Sequence, residues 1–153
     1  MTLKTVNDDF TIEGDWVKDI AEMHTKFGVN PVIRTLDKEK LTAFLKFRID
    51  FLQEELDEMK AALSDDYSKP ESRADDTVDA LIDLVVVAIG TLDAFEVDSY
   101  EAWARVRDAN MAKSPGIKAS RPNKFGFPDL IKPNNWVAPQ HADNVGLLSK
   151  VFE

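Results

Sequence analysis

The stretch ALIDLVVVAIGTL, residues 80–92, is apolar on nearly every side when it is drawn as a helix. Asp83 is its only charged residue. Together with Asp76 and Asp79 it forms an i, i+3, i+7 series, so the three carboxylates share one stripe. Gly90 continues that stripe, and its missing side chain leaves space there or allows close helix contact. The stretch therefore predicts a buried helix that carries an acidic stripe.

The preceding helix, predicted over residues 37–63, places carboxylates on its apolar side. With Leu45 at zero on a helical wheel, the apolar arc extends to about −160°. Glu55 then lies at about −80° and Glu58 at about −140°, with Glu54 at the far edge of the arc. Buried carboxylates are costly unless they are paired or bind a cation. Two acidic clusters on two core helices predict a Mg²⁺ or Mn²⁺ site between the helices.

Acidic helices also have ordinary explanations. Acidic runs are usually solvated helix faces or favourable partners of a helix N-terminus. Arg48 lies inside the apolar arc, at about −60°, and can neutralise Glu55 within the helix. The metal site is favoured because Glu55, Glu58 and Asp83 lie on apolar sides, and Asp79 is intermediate in this respect.

The rest of the chain predicts more helix and no strand. The remaining helices are predicted over residues 14–27, 73–95 and 99–113. Asp37 and Ser99 are the expected N-caps, and a loop is expected around Pro31. Trp16 and Trp103 are predicted to lie in the core. The motifs of ferritin-like di-iron proteins, EF-hands, P-loops and Rossmann folds are missing from the sequence.

Composition narrows the class of protein further. The 153 residues carry a net charge of −9 and contain no cysteine, which excludes disulfides, thiolate metal sites and cysteine nucleophiles. Such an acidic balance argues against nucleic acid and anionic membranes as partners. The N-terminus lacks the apolar segment of a secretory signal, and no apolar run is long enough to span a bilayer. We therefore expect a cytoplasmic protein.

Charge and proline content divide the chain in two. Residues 1–113 carry a net charge of −11, whereas residues 114–153 carry +2 and five of the seven prolines. The first part is predicted to be the helical domain. The second keeps aromatic residues such as Phe125 and Trp136, so it is predicted to be an extended Pro-rich arm that packs on the body or on a neighbouring subunit.

FLQEELDE at residues 51–58 and VDALIDL at residues 78–84 resemble a known pair of motifs. They are similar to those of the all-α nucleoside triphosphate pyrophosphohydrolases, the MazG-like enzymes related to phosphoribosyl-ATP pyrophosphohydrolase and dimeric dUTPases. That family carries Glu-Glu-x-x-Glu on one helix and Glu-x-x-Asp on the next. The Glu of the second motif corresponds to Ala80 here, and Asp79 is the available substitute.

Other segments are similar to the phage and bacterial branch of these enzymes that is labelled Cof-like or phosphoribosyl-ATP-pyrophosphohydrolase-like. MHTKFG at residues 23–28 resembles its first-helix signature, and DANMAK at residues 108–113 resembles a segment after its last helix. The resemblance covers roughly residues 14–140. It implies an all-α, MazG-like four-helix bundle that dimerisation completes, as a homodimer or homotetramer, in the host cytoplasm if the protein is viral.

The resemblance also implies a reaction, namely hydrolysis of a nucleoside triphosphate between the α and β phosphates to a monophosphate and pyrophosphate. The residues that hold Mg²⁺ or Mn²⁺ would be Glu55, Glu58, Asp79 and Asp83. Glu54 would orient or deprotonate the attacking water. The substrate-binding residues would be Arg48, Asn110 and Lys113.

Several alternatives stay open on the sequence. Asn110 and Lys113 also fit an ordinary helix C-terminus, where both residue types are common. Trp136 or Phe125 can stack on a base or simply pack in the core. The substrate can be another nucleotide, such as phosphoribosyl-ATP. Ala80 leaves room for a catalytically silent helical interaction module.

Overall fold

A computed structural model of the chain describes residues 14–120 and 129–153. These residues form six α-helices and one small two-stranded sheet, which confirms the all-α class. The chain divides after Ala94 into two compact units, described separately below. The predicted domain boundary at residue 113 stays a prediction, and Phe125 lies outside the described residues.

The first unit is built around its most apolar helix. Its helices are α1 (Trp16–Phe27), α2 (Val29–Arg34), α3 (Lys38–Ala62) and α4 (Arg73–Ala94), and a 3-10 turn (Pro70–Ser72) precedes α4. Helix α4 packs against α1, α2 and α3. The three helices predicted in this part of the chain are therefore confirmed, with ends within about two residues of the expected ones.

The ends of these helices follow ordinary capping chemistry. Asp37 caps α3 as predicted, since its carboxylate accepts from the Lys40 backbone N–H at 2.9 Å. The loop expected around Pro31 is wrong, because α2 forms there. Proline is tolerated in the first turn of a helix, where backbone N–H groups have no helical acceptor.

The second unit joins the last long helix to the C-terminal segment. It contains α5 (Ser99–Met111), β1 (Ser114–Gly116), β2 (Asp129–Ile131) and α6 (Leu148–Phe152). The strands are antiparallel, with Pro115 opposite Leu130. This small sheet was not predicted, since three-residue strands are too short to show alternation. The N-cap of α5 is Asp98 and not Ser99, because the Asp98 carboxylate accepts from the Glu101 N–H at 3.0 Å.

Polar contacts hold the C-terminal segment on α5. Arg105 makes two hydrogen bonds with the Asp143 carboxylate, which raises the pKa of Arg105 and lowers that of Asp143. Asn144 exchanges two hydrogen bonds with the backbone of Asp98. Gly146 is required where it stands, because its φ is +49° and a Cβ would overlap the Phe95 carbonyl oxygen. The segment is therefore folded against the helix.

Burial in the single chain departs from the sequence-based expectations. Trp16 and Trp103 were predicted in the core, but their exposed fractions are 53% and 67%. Leu81 and Ile82 are also nearly half exposed, so the prediction that α4 is buried on every side is wrong. The neighbours α1, α2 and α3 cover only part of the α4 surface. In the described part of the chain, no helix has the length and apolar character needed to cross a membrane.

Candidate functional site

The predicted acidic residues meet where α3 packs on α4. Glu55 is half-buried, and its Oε2 atom is fully buried without a hydrogen-bond partner. Burial is the largest cause that raises the pKa of Glu55, followed by the negative charges of four nearby carboxylates. Those neighbours are Glu58, Asp83, Asp79 and Glu54. The structure thus brings the other four predicted metal-binding and catalytic carboxylates within electrostatic reach of Glu55.

Positive charge does not compensate this cluster of five carboxylates. Within residues 14–120 and 129–153, none of the five makes an ion pair or a hydrogen bond with another side chain. Nor are three acidic or histidine side chains of these residues already arranged around a single metal position. The cluster is therefore a site of strong negative potential whose side chains are not locked into one ligand geometry.

Asp76 belongs to the acidic stripe but has a different role. Its carboxylate accepts hydrogen bonds from the Ser72 hydroxyl at 2.6 Å and the Tyr67 hydroxyl at 2.7 Å. These bonds lower the pKa of Asp76 and close the loop that connects α3 to α4. Asp76 therefore fixes the start of α4.

One burial prediction in this region is wrong. Glu58 was expected on the buried side of α3, but it is exposed, as are Glu54 and Asp79. Phe47, at the same edge of the apolar arc, is also half exposed. Because α3 packs mainly on α4, the covered sector is narrower than the apolar arc. Ala80 faces the interior at 1% exposure. Asp79 lies close enough to Glu55 to raise its pKa, so Asp79 is the acid available in place of the glutamate that Ala80 replaces.

Arg48 anchors α3 on α4 and does not neutralise Glu55. Its Nε donates to the Thr91 hydroxyl at 3.0 Å and its Nη2 donates to the Val87 carbonyl at 2.9 Å. Burial lowers the pKa of this guanidinium. A Cβ on Gly90 would lie 2.9 Å from Arg48 Nη2, so the glycine provides the predicted space and the arginine fills it.

A second polar group was missed by sequence reasoning. His24 Nδ1 and Asp93 Oδ2 are 2.6 Å apart, and the Asn30 amide donates to the same carboxylate oxygen at 3.2 Å. These contacts join α1, α2 and α4, and His24 is partly buried. Asp93 follows Gly90 by three residues, so the stripe that starts at Asp76 would have indicated it.

The remaining predicted substrate-binding residues lie in the second unit. Lys113 Nζ donates to the Asn110 side-chain oxygen at 2.7 Å, at the C-terminal end of α5. The predicted pair is therefore brought together, and its role in substrate binding stays a prediction.

The paired acidic motifs on two packed helices are consistent with the class of MazG-like all-α nucleotide pyrophosphohydrolases, to which the following family match assigns the chain. The sequence pattern of the phosphoribosyl-ATP pyrophosphohydrolase family matches residues 33–110, just over half of the chain. The chain belongs to this family. The matched segment contains all five clustered carboxylates together with Arg48 and Asn110. No curated protein matches the chain.

Proposed function

We propose that the protein is a metal-dependent nucleoside triphosphate pyrophosphohydrolase that releases a monophosphate and pyrophosphate. Membership of a pyrophosphohydrolase family supports the class of reaction. The observation that carries the proposal is the Glu55 carboxylate, which has a buried unpartnered oxygen and four further carboxylates nearby. Such an arrangement destabilises the protein unless a cation binds there.

The chemistry of these donors fits a divalent cation. Ionised carboxylates offer only acceptor oxygens, which are the ligands that Mg²⁺ and Mn²⁺ prefer. Glu55, Glu58, Asp79 and Asp83 would hold the ion, and the exposed Glu58 and Asp79 can change rotamer to do so. When bound, Mg²⁺ would neutralise phosphate charge and polarise the scissile phosphate.

The side chains that do not bind the metal have separate roles in the proposed hydrolysis. Glu54 is exposed beside the cluster, where it would orient a water molecule and accept its proton. Arg48 holds α3 at a fixed position on α4 through its bonds to Val87 and Thr91, so it would position Glu54 and Glu55 and not contact the substrate directly. Asn110 and Lys113 would contribute a hydrogen bond and a positive charge to the phosphates.

The proposed substrate is a nucleoside triphosphate, with phosphoribosyl-ATP as the second candidate. A nucleoside triphosphate carries about four negative charges near neutral pH, so an acidic protein needs cations to bind it. Phosphoribosyl-ATP is the second candidate, because the family that matches the chain is described by that activity. Both substrates would be cleaved between the α and β phosphates.

A nucleotide panel tests the proposed reaction. The protein is incubated with each canonical NTP and dNTP and with phosphoribosyl-ATP, in Mg²⁺ and in EDTA. We expect pyrophosphate and the matching monophosphate from at least one nucleotide in Mg²⁺, and a loss of at least about a hundredfold in EDTA. Release of orthophosphate alone would contradict α–β cleavage. A lack of product from every nucleotide, with Mn²⁺ included, would favour the interaction module.

We also propose that the functional form is a homodimer or homotetramer. Large apolar side chains stay exposed in the first unit: Trp16, Met23, Phe27, Leu63, Val78, Leu81 and Ile82. Large apolar side chains left exposed in this number are typical of a surface that a second subunit covers. Light scattering after size-exclusion chromatography should give at least twice the 17.2 kDa mass of one chain. A monomer at micromolar concentration would contradict this expectation.

A further inference from the structure

The basic side chains of the second unit fall into two groups. Three of them lie beside carboxylates: Arg105, Arg107 and Lys118. In contrast, Lys113, Lys132 and Lys150 form no ion pair with the described residues. Lys113 donates only to the neutral amide oxygen of Asn110. Three positive charges in this part of an acidic protein are therefore uncompensated among the described residues.

Lys113 and Lys132 both lie beside the ring of one tryptophan. Lys132 Nζ lies 4.2 Å from the centroid of the Trp136 ring, and Lys113 Nζ lies 5.3 Å from the same centroid. The ring itself is fixed on α5, because its Nε1 donates to the Ala109 carbonyl at 2.6 Å. Trp136 is half-buried, so its orientation is set by packing as well as by this bond. The C-terminal segment thus adds a second cation to the one at the end of α5.

Each ammonium group gains only about 0.5–1 kcal/mol from the ring at an exposed site, so the ring does not neutralise the two charges. An anion with several oxygens would neutralise them and accept hydrogen bonds from ammonium groups. Trp136, but neither lysine, lines an open cleft of about 720 Å³, which falls within the size range of small-molecule sites. Both acids that line this cleft are paired with arginines, Asp108 with Arg107 and Asp143 with Arg105.

We propose that Lys113, Lys132 and Trp136 form a binding site for the polyphosphate group of a nucleotide. Lys132 and Trp136 are the part of this site that the C-terminal segment supplies. The proposal deepens the proposed function and rests on it for the identity of the ligand. The same chemistry would bind released pyrophosphate, so pyrophosphate is one of the ligands tested.

Intrinsic fluorescence provides a direct test. The chain has three tryptophans, and the exposed Trp16 and Trp103 can be replaced by Phe so that Trp136 is the only fluorophore. This protein is titrated with a nucleoside triphosphate whose α–β bridge is an uncleavable imido group, in Mg²⁺ and in EDTA. We expect a saturable change in Trp136 emission, and Lys132→Ala should raise the dissociation constant about tenfold. Lys150→Ala, another exposed lysine of the same unit, is the control and should change nothing.

Separate ligands identify what is bound. Pyrophosphate should give the same emission change and the free nucleoside should give none. A response to the nucleoside alone would mean base stacking and would overturn the polyphosphate site, as would no response to any ligand. If the protein cleaves nucleotides and Lys132→Ala leaves both KM and the dissociation constant unchanged, this site is wrong and the proposed function stands. If binding occurs as expected without any cleavage, the proposed function fails and the site stands.

Discussion

Replacing Glu55 by Gln should lower the rate of pyrophosphate release by at least about a hundredfold. The loss of a residue that only orients a metal ligand costs about 10–100-fold, and a direct ligand should cost no less. Gln keeps the shape of the side chain and removes its charge, so the loss would report the charge. The measurement is the rate of pyrophosphate release at saturating nucleotide and Mg²⁺. A variant with normal activity would exclude Glu55 from the active site.

The same variant should be more stable than the wild type when no metal is present. Burial and four neighbouring carboxylates raise the pKa of Glu55 above its ordinary value of 4.5, so its ionised form destabilises the native state. Since the native protein keeps this proton to a higher pH than the unfolded chain, the free energy of unfolding should fall as the pH rises above about 4.5. Gln removes this contribution, and the Tm in EDTA should rise.

Asp57→Asn is the matched control for both measurements. Asp57 lies on the same helix, but its exposed carboxylate accepts from Lys60 and Gln53, each at 2.9 Å. These contacts lower its pKa, opposite to the shift of Glu55. The control should keep its activity within about twofold and should not gain stability in EDTA. A lower Tm of Glu55→Gln in EDTA would show that the buried carboxylate is not under repulsion.

The contrast between these two acids shows how far helical spacing can predict the site. Spacing predicted the four long helices and the stripe of Asp79 and Asp83, because a 3.6-residue repeat is a local property of the chain. The wheel with Leu45 at zero places Glu55 on the covered side of α3 and Asp57, at about 120°, on the solvated side. The sequence was therefore sufficient for the acidic site as a set of residues on two helices.

Burial and long-range pairs could not be predicted in this way. A helical wheel shows which residues share a side but not how much of that side a neighbour covers, so it misplaced Glu58 and Trp16. The contact between His24 and Asp93 joins residues 69 positions apart, and only the packing of α1 on α4 brings them together. The roles of these residues depend on the tertiary arrangement, which periodicity does not contain.

Replacing Gly90 by Val should destabilise the protein by about 1–3 kcal/mol, which corresponds to a fall in Tm of roughly 3–10 °C. A Cβ at this position would lie 2.9 Å from Arg48 Nη2 and 3.2 Å from His24 Nε2, and valine adds two methyl groups beyond it. Neither neighbour can move at low cost, because Arg48 is bonded to α4 and His24 to Asp93. The measurement is thermal or urea unfolding followed by circular dichroism.

Ala88→Val separates the effect of position from that of residue type. Ala88 lies on the same helix and is exposed, so the variant carries the same branched side chain without a neighbour to displace. It should change stability by less than about 0.5 kcal/mol.

Arg48→Ala then tests the cause, because it empties the space that the valine needs. In the Gly90→Val background it should cost less stability than in the wild type, by about 0.5 kcal/mol or more. Equal costs in both backgrounds would mean that Gly90 does not provide the space for Arg48.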